Sequence, residues 1–256
     1  MTAPKTGKLK RLLDLWPAHV VMTSARLADL GISHGLARQY VKNGWMDRVG
    51  VGAFKRPNDS VSWPGAVESL QTQLKMGVHV GALSALAVQG HQQYLRFGHE
   101  AVFLFSAPDL VLPAWFKNRD WGAAIYHVAT KLLPDGLGLH ADDVQGHRLT
   151  LSTPERAILE CLYLSPDRID LMESVEVAQG LLTLRPDLMQ TLLEACNSIK
   201  VRRLFLFVAE KNALPVLKRL DLTRIDLGSG ARSIVKGGVY HAGSRLTLPR
   251  ELVDNG

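Results

Sequence analysis

In "SHGLARQYVKNGWMDRVGVGAFKRP", residues 33–57, His34, Arg38, Gln39 and Lys42 fall at helical spacing on one face, while Leu36, Tyr40 and Val41 turn inward. The outward set suits a nucleic-acid duplex. A guanidinium pairs with guanine, a carboxamide with adenine, and an ammonium with backbone phosphate. Ser33 stands where it caps the same helix, beside those groups. Two β-type runs, "WMDRV" and "AFKR", flank Gly50-Val51-Gly52 and read as a hairpin. From it Arg48, Lys55 and Arg56 can reach an adjacent groove or its phosphates. The candidate DNA-contacting residues are therefore Ser33, His34, Arg38, Gln39, Lys42, Arg48, Lys55 and Arg56.

Holding such a set in place takes a scaffold. Leu9, Leu12, Leu13 and Trp16 mark an amphipathic helix from Gly7 to Trp16, ended by Pro17. A second helix opens at Thr23 or Ser24, runs through Leu27 and Leu30, and closes at Gly31, where a left-handed residue is needed. Two short helices around a glycine turn, followed by a basic hairpin, read as a winged helix-turn-helix. Charge agrees with that reading. Residues 1–57 hold ten Lys and Arg against three Asp and Glu, residues 58–198 nine against sixteen, and residues 199–256 eleven against five. A basic N-terminal field points to double-stranded DNA as partner. The competing reading is a small helical subdomain with a solvated basic face.

A boundary near Asn58–Trp63 divides this winged helix, residues 1–57, from a C-terminal domain, residues 64–256. Ser62 and Pro64 open a helix there. "VGALSALAVQGH" is an apolar helix of small residues suited to packing on a sheet. "AVFLFSA", "AAIYHVA" and "HRLTLST" are β-type runs, and "RLTLP" a final strand. "TPERAILECLYL", "DLMESVEVAQGLLTL", "PDLMQTLLEACN" and "VRRLFLFVAEKN" supply helices, the last too apolar to be exposed. The fold class is α+β: an N-terminal winged helix-turn-helix followed by a larger mixed α/β domain, mainly helical in its second half.

The residues that do catalysis elsewhere are not arranged for it here. Asp135, His140, Asp142 and Asp143 in "PDGLGLHADD" read as a solvated loop, not a metal loop. "GSGARS", residues 228–233, lacks the Lys-Ser/Thr of a P-loop and reads as a turn, with anion binding through Arg232 as the alternative. His91 and His99, around Tyr94 and Arg96, read as a surface loop, and Ser165 and Ser244 lie in no nucleophile elbow. Cys161 and Cys196 have no partners at zinc spacing and read as buried thiols in a reducing compartment. Neither a signal peptide nor an apolar run of about 18 residues appears, so a soluble cytoplasmic protein without metal, cofactor or membrane is expected. The alternative function is a nuclease targeted by the winged helix. It would want spaced carboxylates followed by Glu-x-Lys, whereas Glu210-Lys211 is an adjacent pair; a non-enzyme is expected. In the basic third segment, Arg202 and Arg203 stand at an element's start and, with Arg232 and Lys236, form a candidate surface for an anionic partner, DNA flanks or an RNA. The other reading is a solvated face balancing the acidic middle.

The run from Thr23 to Pro57 also resembles the N-terminal winged helix of the AbiEi antitoxins of bacterial type IV toxin–antitoxin systems. The likeness lies in Gly44-Trp45-Met46 and Arg48-Val49-Gly50-Val51-Gly52-Ala53-Phe54. It continues in order through Val78–His91, Thr153–Leu162 and Ser233–Leu252. The resemblance implies an N-terminal domain that represses its own operon at inverted repeats. It also implies a C-terminal domain that counters a nucleotidyltransferase-like toxin, AbiEii, without a stable complex. The wing tip departs from a basic pattern, since it is Val51.

Overall fold

The computed structural model describes residues 5–91 and 101–253. Helix α1 (Lys5–Leu15) buries Leu12 and, one turn on, Trp16 closes the same face. The Trp16 indole N–H donates to Val20 O at 2.9 Å, so the reversal at Pro17 leaves that donor satisfied. Strand β1 (Met22–Thr23) follows, and Thr23 caps helix α2 (Ser24–Asp29), its hydroxyl accepting from Arg26 N–H. Gly31 takes φ +74° and turns the chain into helix α3 (His34–Lys42). Strands β2 (Asp47–Gly50) and β3 (Ala53–Lys55) form the hairpin, and β1 joins it antiparallel in the order β1-β3-β2. This is a winged helix, closed over its own apolar cluster of Leu12, Trp16, Met22, Leu27, Ile32, Ala37, Tyr40, Met46 and Phe54.

Helix α4 (Trp63–Glu68) has Ser62 at its N-cap and Pro64 in its first turn, and a π-helical turn, Ser69–Gln73, continues it. The next elements are β4 (Val78–Val80), α5 (Ala82–Val88), β5 (Ala101–Ser106), α6 (Ala114–Lys117), β6 (Ala124–Ala129), β7 (Leu139–Val144) and β8 (His147–Ser152). They build a five-stranded sheet in the order β6-β5-β4-β8-β7. The β5–β6 and β4–β8 pairs are parallel, β4–β5 and β7–β8 antiparallel. Residues 139–144 are thus an edge strand, which corrects the solvated-loop reading of "PDGLGLHADD". The signal is the two-residue turn Gln145-Gly146, both at positive φ, which suits a tight hairpin between Val144 and His147. The group at His91, His99, Tyr94 and Arg96 lies, apart from His91, outside the described residues.

Helix α7 (Pro154–Leu164) packs on α5 and is surrounded by α8 (Leu171–Gln179), α9 (Pro186–Ala195) and α10 (Ile199–Lys211), so it is buried along nearly its whole length. Its charges are therefore paired. Glu160 accepts from His79 Nε2 at 2.9 Å, Ala82 N–H at 3.0 Å, Ser152 Oγ at 2.8 Å and Arg156 Nε at 2.8 Å. Burial pushes this carboxyl up, but His79 and Arg156 together pull it below the ordinary value. A Cβ at Gly81 would stand 2.3 Å from Glu160 Oε2 and 2.6 Å from the Phe105 ring, which is why the turn into α5 needs glycine. A last small sheet of β9 (Arg232–Ser233), β10 (Val239–His241) and β11 (Leu246–Leu248), ordered β10-β11-β9, precedes helix α11 (Arg250–Val253).

Candidate DNA interface

Helix α3 is seated at its N-terminal end. Ser33 Oγ accepts from Leu36 N–H at 3.3 Å, and Ile32 N–H donates back to Leu27 O at 2.9 Å. The Lys8 ammonium holds Gly31 O at 3.0 Å, fixing the turn between α2 and α3 to α1. Ala37 and Tyr40 go inward, and burial without a hydroxyl partner pushes the Tyr40 phenol up. His34, Arg38, Gln39 and Lys42 are exposed, and among the described residues none of these side chains has a hydrogen-bond or ion-pair partner. Arg48 on β2 is exposed and unpaired in the same sense. Trp45, 43 % exposed, tilts against Tyr40 with ring centroids 5.5 Å apart, placing an indole at the corner between α3 and the wing. In the sequence it stands in the Gly44-Trp45-Met46 motif but not among the expected contact residues. Val51 at the tip is 87 % exposed.

Two of the expected contact residues are already used. Arg56 donates to Leu13 O at 2.7 Å and to Trp16 O, tying the end of α1 to β3. Lys55 donates to Asp59 O at 2.7 Å and lies 3.3 Å from Asp47. Their charges satisfy the protein's own carbonyls and a carboxylate, so the free cation of the wing is Arg48. In the C-terminal region the correction is larger. Arg202 and Arg203 are 8 % and 2 % exposed, inside α10, not at a surface. Arg202 binds Asp226 O at 2.6 Å and Cys196 O. Arg203 binds the carbonyls of Leu227 at 2.7 Å, Gly228 at 3.1 Å, Gly230 at 2.7 Å and Arg245 at 3.3 Å. The "GSGARS" turn therefore points its carbonyls at a buried guanidinium. Only Arg232 and Lys236 of that candidate surface are exposed.

Among the described residues no group of three or more His, Cys, Asp or Glu side chains is arranged to hold a metal ion, and no helix is long and apolar enough to cross a membrane.

A winged helix with exposed, unpaired polar side chains on α3, joined to an α+β body, has the build of a DNA-binding regulator. Residues 5–97 match the family described as "Transcriptional regulator, AbiEi antitoxin N-terminal domain". Residues 99–249 match "Transcriptional regulator, AbiEi antitoxin, Type IV TA system". The chain belongs to the AbiEi antitoxin family of type IV toxin–antitoxin systems. Among solved structures it is similar to the RV2827C protein from Mycobacterium tuberculosis, with a TM-score of 0.60 and 14 % identity over 99 % of this chain and 95 % of that one. That likeness is one of fold. No curated protein matches this chain.

Proposed function

We propose that this antitoxin represses its own operon by reading inverted-repeat operator DNA with α3, flanked by the wing, in the cytoplasm. The observation that supports the reading is the row of exposed, partnerless side chains His34, Arg38, Gln39 and Lys42, continued by Arg48. Labour divides with the charge: residues 1–57 read DNA, and residues 64–256 counter a nucleotidyltransferase-like toxin without a stable complex. The exposed pair Arg232 and Lys236 is the remaining candidate for contact with an RNA or other anionic partner.

The test is binding of the full chain to its own promoter over a range of salt. Arg38→Ala should weaken specific binding by about 1–3 kcal/mol and relax discrimination at one base pair. Lys42→Ala and Arg48→Ala should weaken all sequences evenly and each lower the salt slope by about one. A triple Arg38/Lys42/Arg48 alanine variant that binds undiminished would remove α3 and the wing from the interface.

A further inference from the structure

The small sheet that carries the wing is held at both edges by side chains from beyond the winged helix. At the β1 edge, Gln73 Nε2 donates to Val21 O at 2.6 Å and Gln73 Oε1 accepts from Thr23 N–H at 2.9 Å. One carboxamide thus occupies the donor and acceptor places that another strand would fill. Ser69 Oγ adds a bond to Val21 O at 2.7 Å. At the β2 edge, Gly50 lies directly on Trp115 of α6. A Cβ at Gly50 would stand 2.7 Å from Trp115 Cβ and 3.1 Å from its Cα. Trp115 is itself fixed, 6 % exposed and edge-on to Phe116 and Trp121 at 5.8 Å and 6.0 Å.

We propose that Gln73 and Trp115 are positioning residues for DNA reading: together they set the height and angle of the wing, and with it Arg48, relative to α3. The inference rests on the duplex-reading role proposed above. Arg48 precedes Gly50 by two residues on β2, with a register shift at Val49 between them. Arg48 pairs with Phe54 and Gly50 with the adjacent Ala53, so a shift of Gly50 away from Trp115 reaches Arg48 through β3 as well as along β2. A hairpin fixed before binding loses little further freedom on the duplex, so its contact is retained in the affinity. Gly50 does not need a left-handed φ, so alanine there strains only the approach to Trp115 and not its own backbone.

The experiment is a double-mutant cycle in the full chain, with Gly50→Ala, Arg48→Ala and both together. Affinity and salt slope are read on the promoter DNA and melting is followed alongside. Each single variant should bind about five- to tenfold more weakly and lose about one from the salt slope. The pair should be no worse than the weaker single variant within about twofold, because the second change removes a contact already lost. A purely structural glycine would shift melting without that coupling. Arg38→Ala serves as the control. If it leaves specific binding intact, the duplex reading itself fails. If it acts but Gly50→Ala changes neither affinity nor slope, or adds fully to Arg48→Ala, the positioning role is refuted. Should Gly50→Ala fail to fold, Gln73→Ala, which adds no atoms and acts from the opposite edge, must show the same loss and the same coupling.

Discussion

Arg203 separates a buried scaffold cation from a partner-binding one, and the structure sets the size of the effect. Its guanidinium is buried and donates to four backbone carbonyls, those of Leu227, Gly228, Gly230 and Arg245. Arg203→Ala deletes a charged donor to all four at once, and of the four only Arg245 O keeps another protein donor, the Arg232 N–H at 3.0 Å, among the described residues. Single bonds to charged groups are worth about 1.5–3 kcal/mol and do not add fully, so the expected loss is about 3–5 kcal/mol. For a chain of this length that corresponds to roughly 10 °C in melting temperature. Arg203→Lys keeps the charge but offers a point donor where a planar fork spans the turn, and should recover less than half of the loss. Arg232→Ala, at an exposed side chain, should stay within about 0.5 kcal/mol of the parent. The assay is thermal and urea unfolding followed by circular dichroism, with protection from the toxin measured on the same variants. If Arg203→Ala melts within a degree or two of the parent while protection is lost, the carbonyl-clamp argument is wrong and the residue is a partner contact after all.

Other outcomes follow from the same physical reasoning. Burial alone would raise the Glu155 carboxyl, but the bidentate Arg185 guanidinium at 2.9 Å and 3.0 Å and the Arg185 N–H hold it at about 2. With the ordinary unfolded value near 4.3, the stability it contributes is fully present above about pH 4.5 and is lost as pH falls toward 2. The urea midpoint of Glu155→Gln should accordingly lack that part of the acid slope, and an unchanged slope would reject the assignment. Gly81→Ala should destabilise by at least about 2 kcal/mol in urea titration, because its Cβ meets both Glu160 and Phe105 in a packed core.

Much of the winged helix is legible in the sequence because its signals are local. Ser33 in cap position, glycines at both ends of α3's surroundings, and the alternating hairpin each act within a few residues. The two-residue β1 carries no such signal; it exists because β3 and Gln73 offer it partners. β4, three residues with a central histidine, is likewise defined by its neighbours β5 and β8. The charged residues were harder to place. Lys55 and Arg56 look free beside Lys42 and Arg48 in sequence, yet carbonyls contributed by Asp59, Leu13 and Trp16 take them up. Arg202 and Arg203 look like a surface pair because adjacent arginines usually are. Their long-range partners, Asp226 to Gly230, lie more than twenty positions away and are invisible to any window of sequence.

Charge and core divide this chain in different places. Net charge changes sign after Pro57, and that break bounds the part proposed above to read DNA. The apolar core does not respect it. Val21 and Ala53, inside the winged helix and fully buried, belong to the cluster that includes Trp63, Leu70 and Trp115. The segment between is packed, with His19 N–H donating to Asp59 at 2.7 Å and Gly65 so close to His19 O that a Cβ would overlap it at 1.8 Å. A cut after residue 57 therefore removes Gln73 and Trp115 from the wing sheet and uncovers Val21 and Ala53. A cut after residue 97, where the first family match ends, keeps Gln73 but parts β4 from β5 and β8. Division of labour thus does not require independent folding. Residues 1–57 alone should carry the α3 share of the salt dependence but fall short of the full chain by about the one phosphate contact assigned to Arg48. Anisotropy titrations of fragment and full chain on the same DNA measure that difference. Equal slopes would mean that the wing stands correctly without the body behind it.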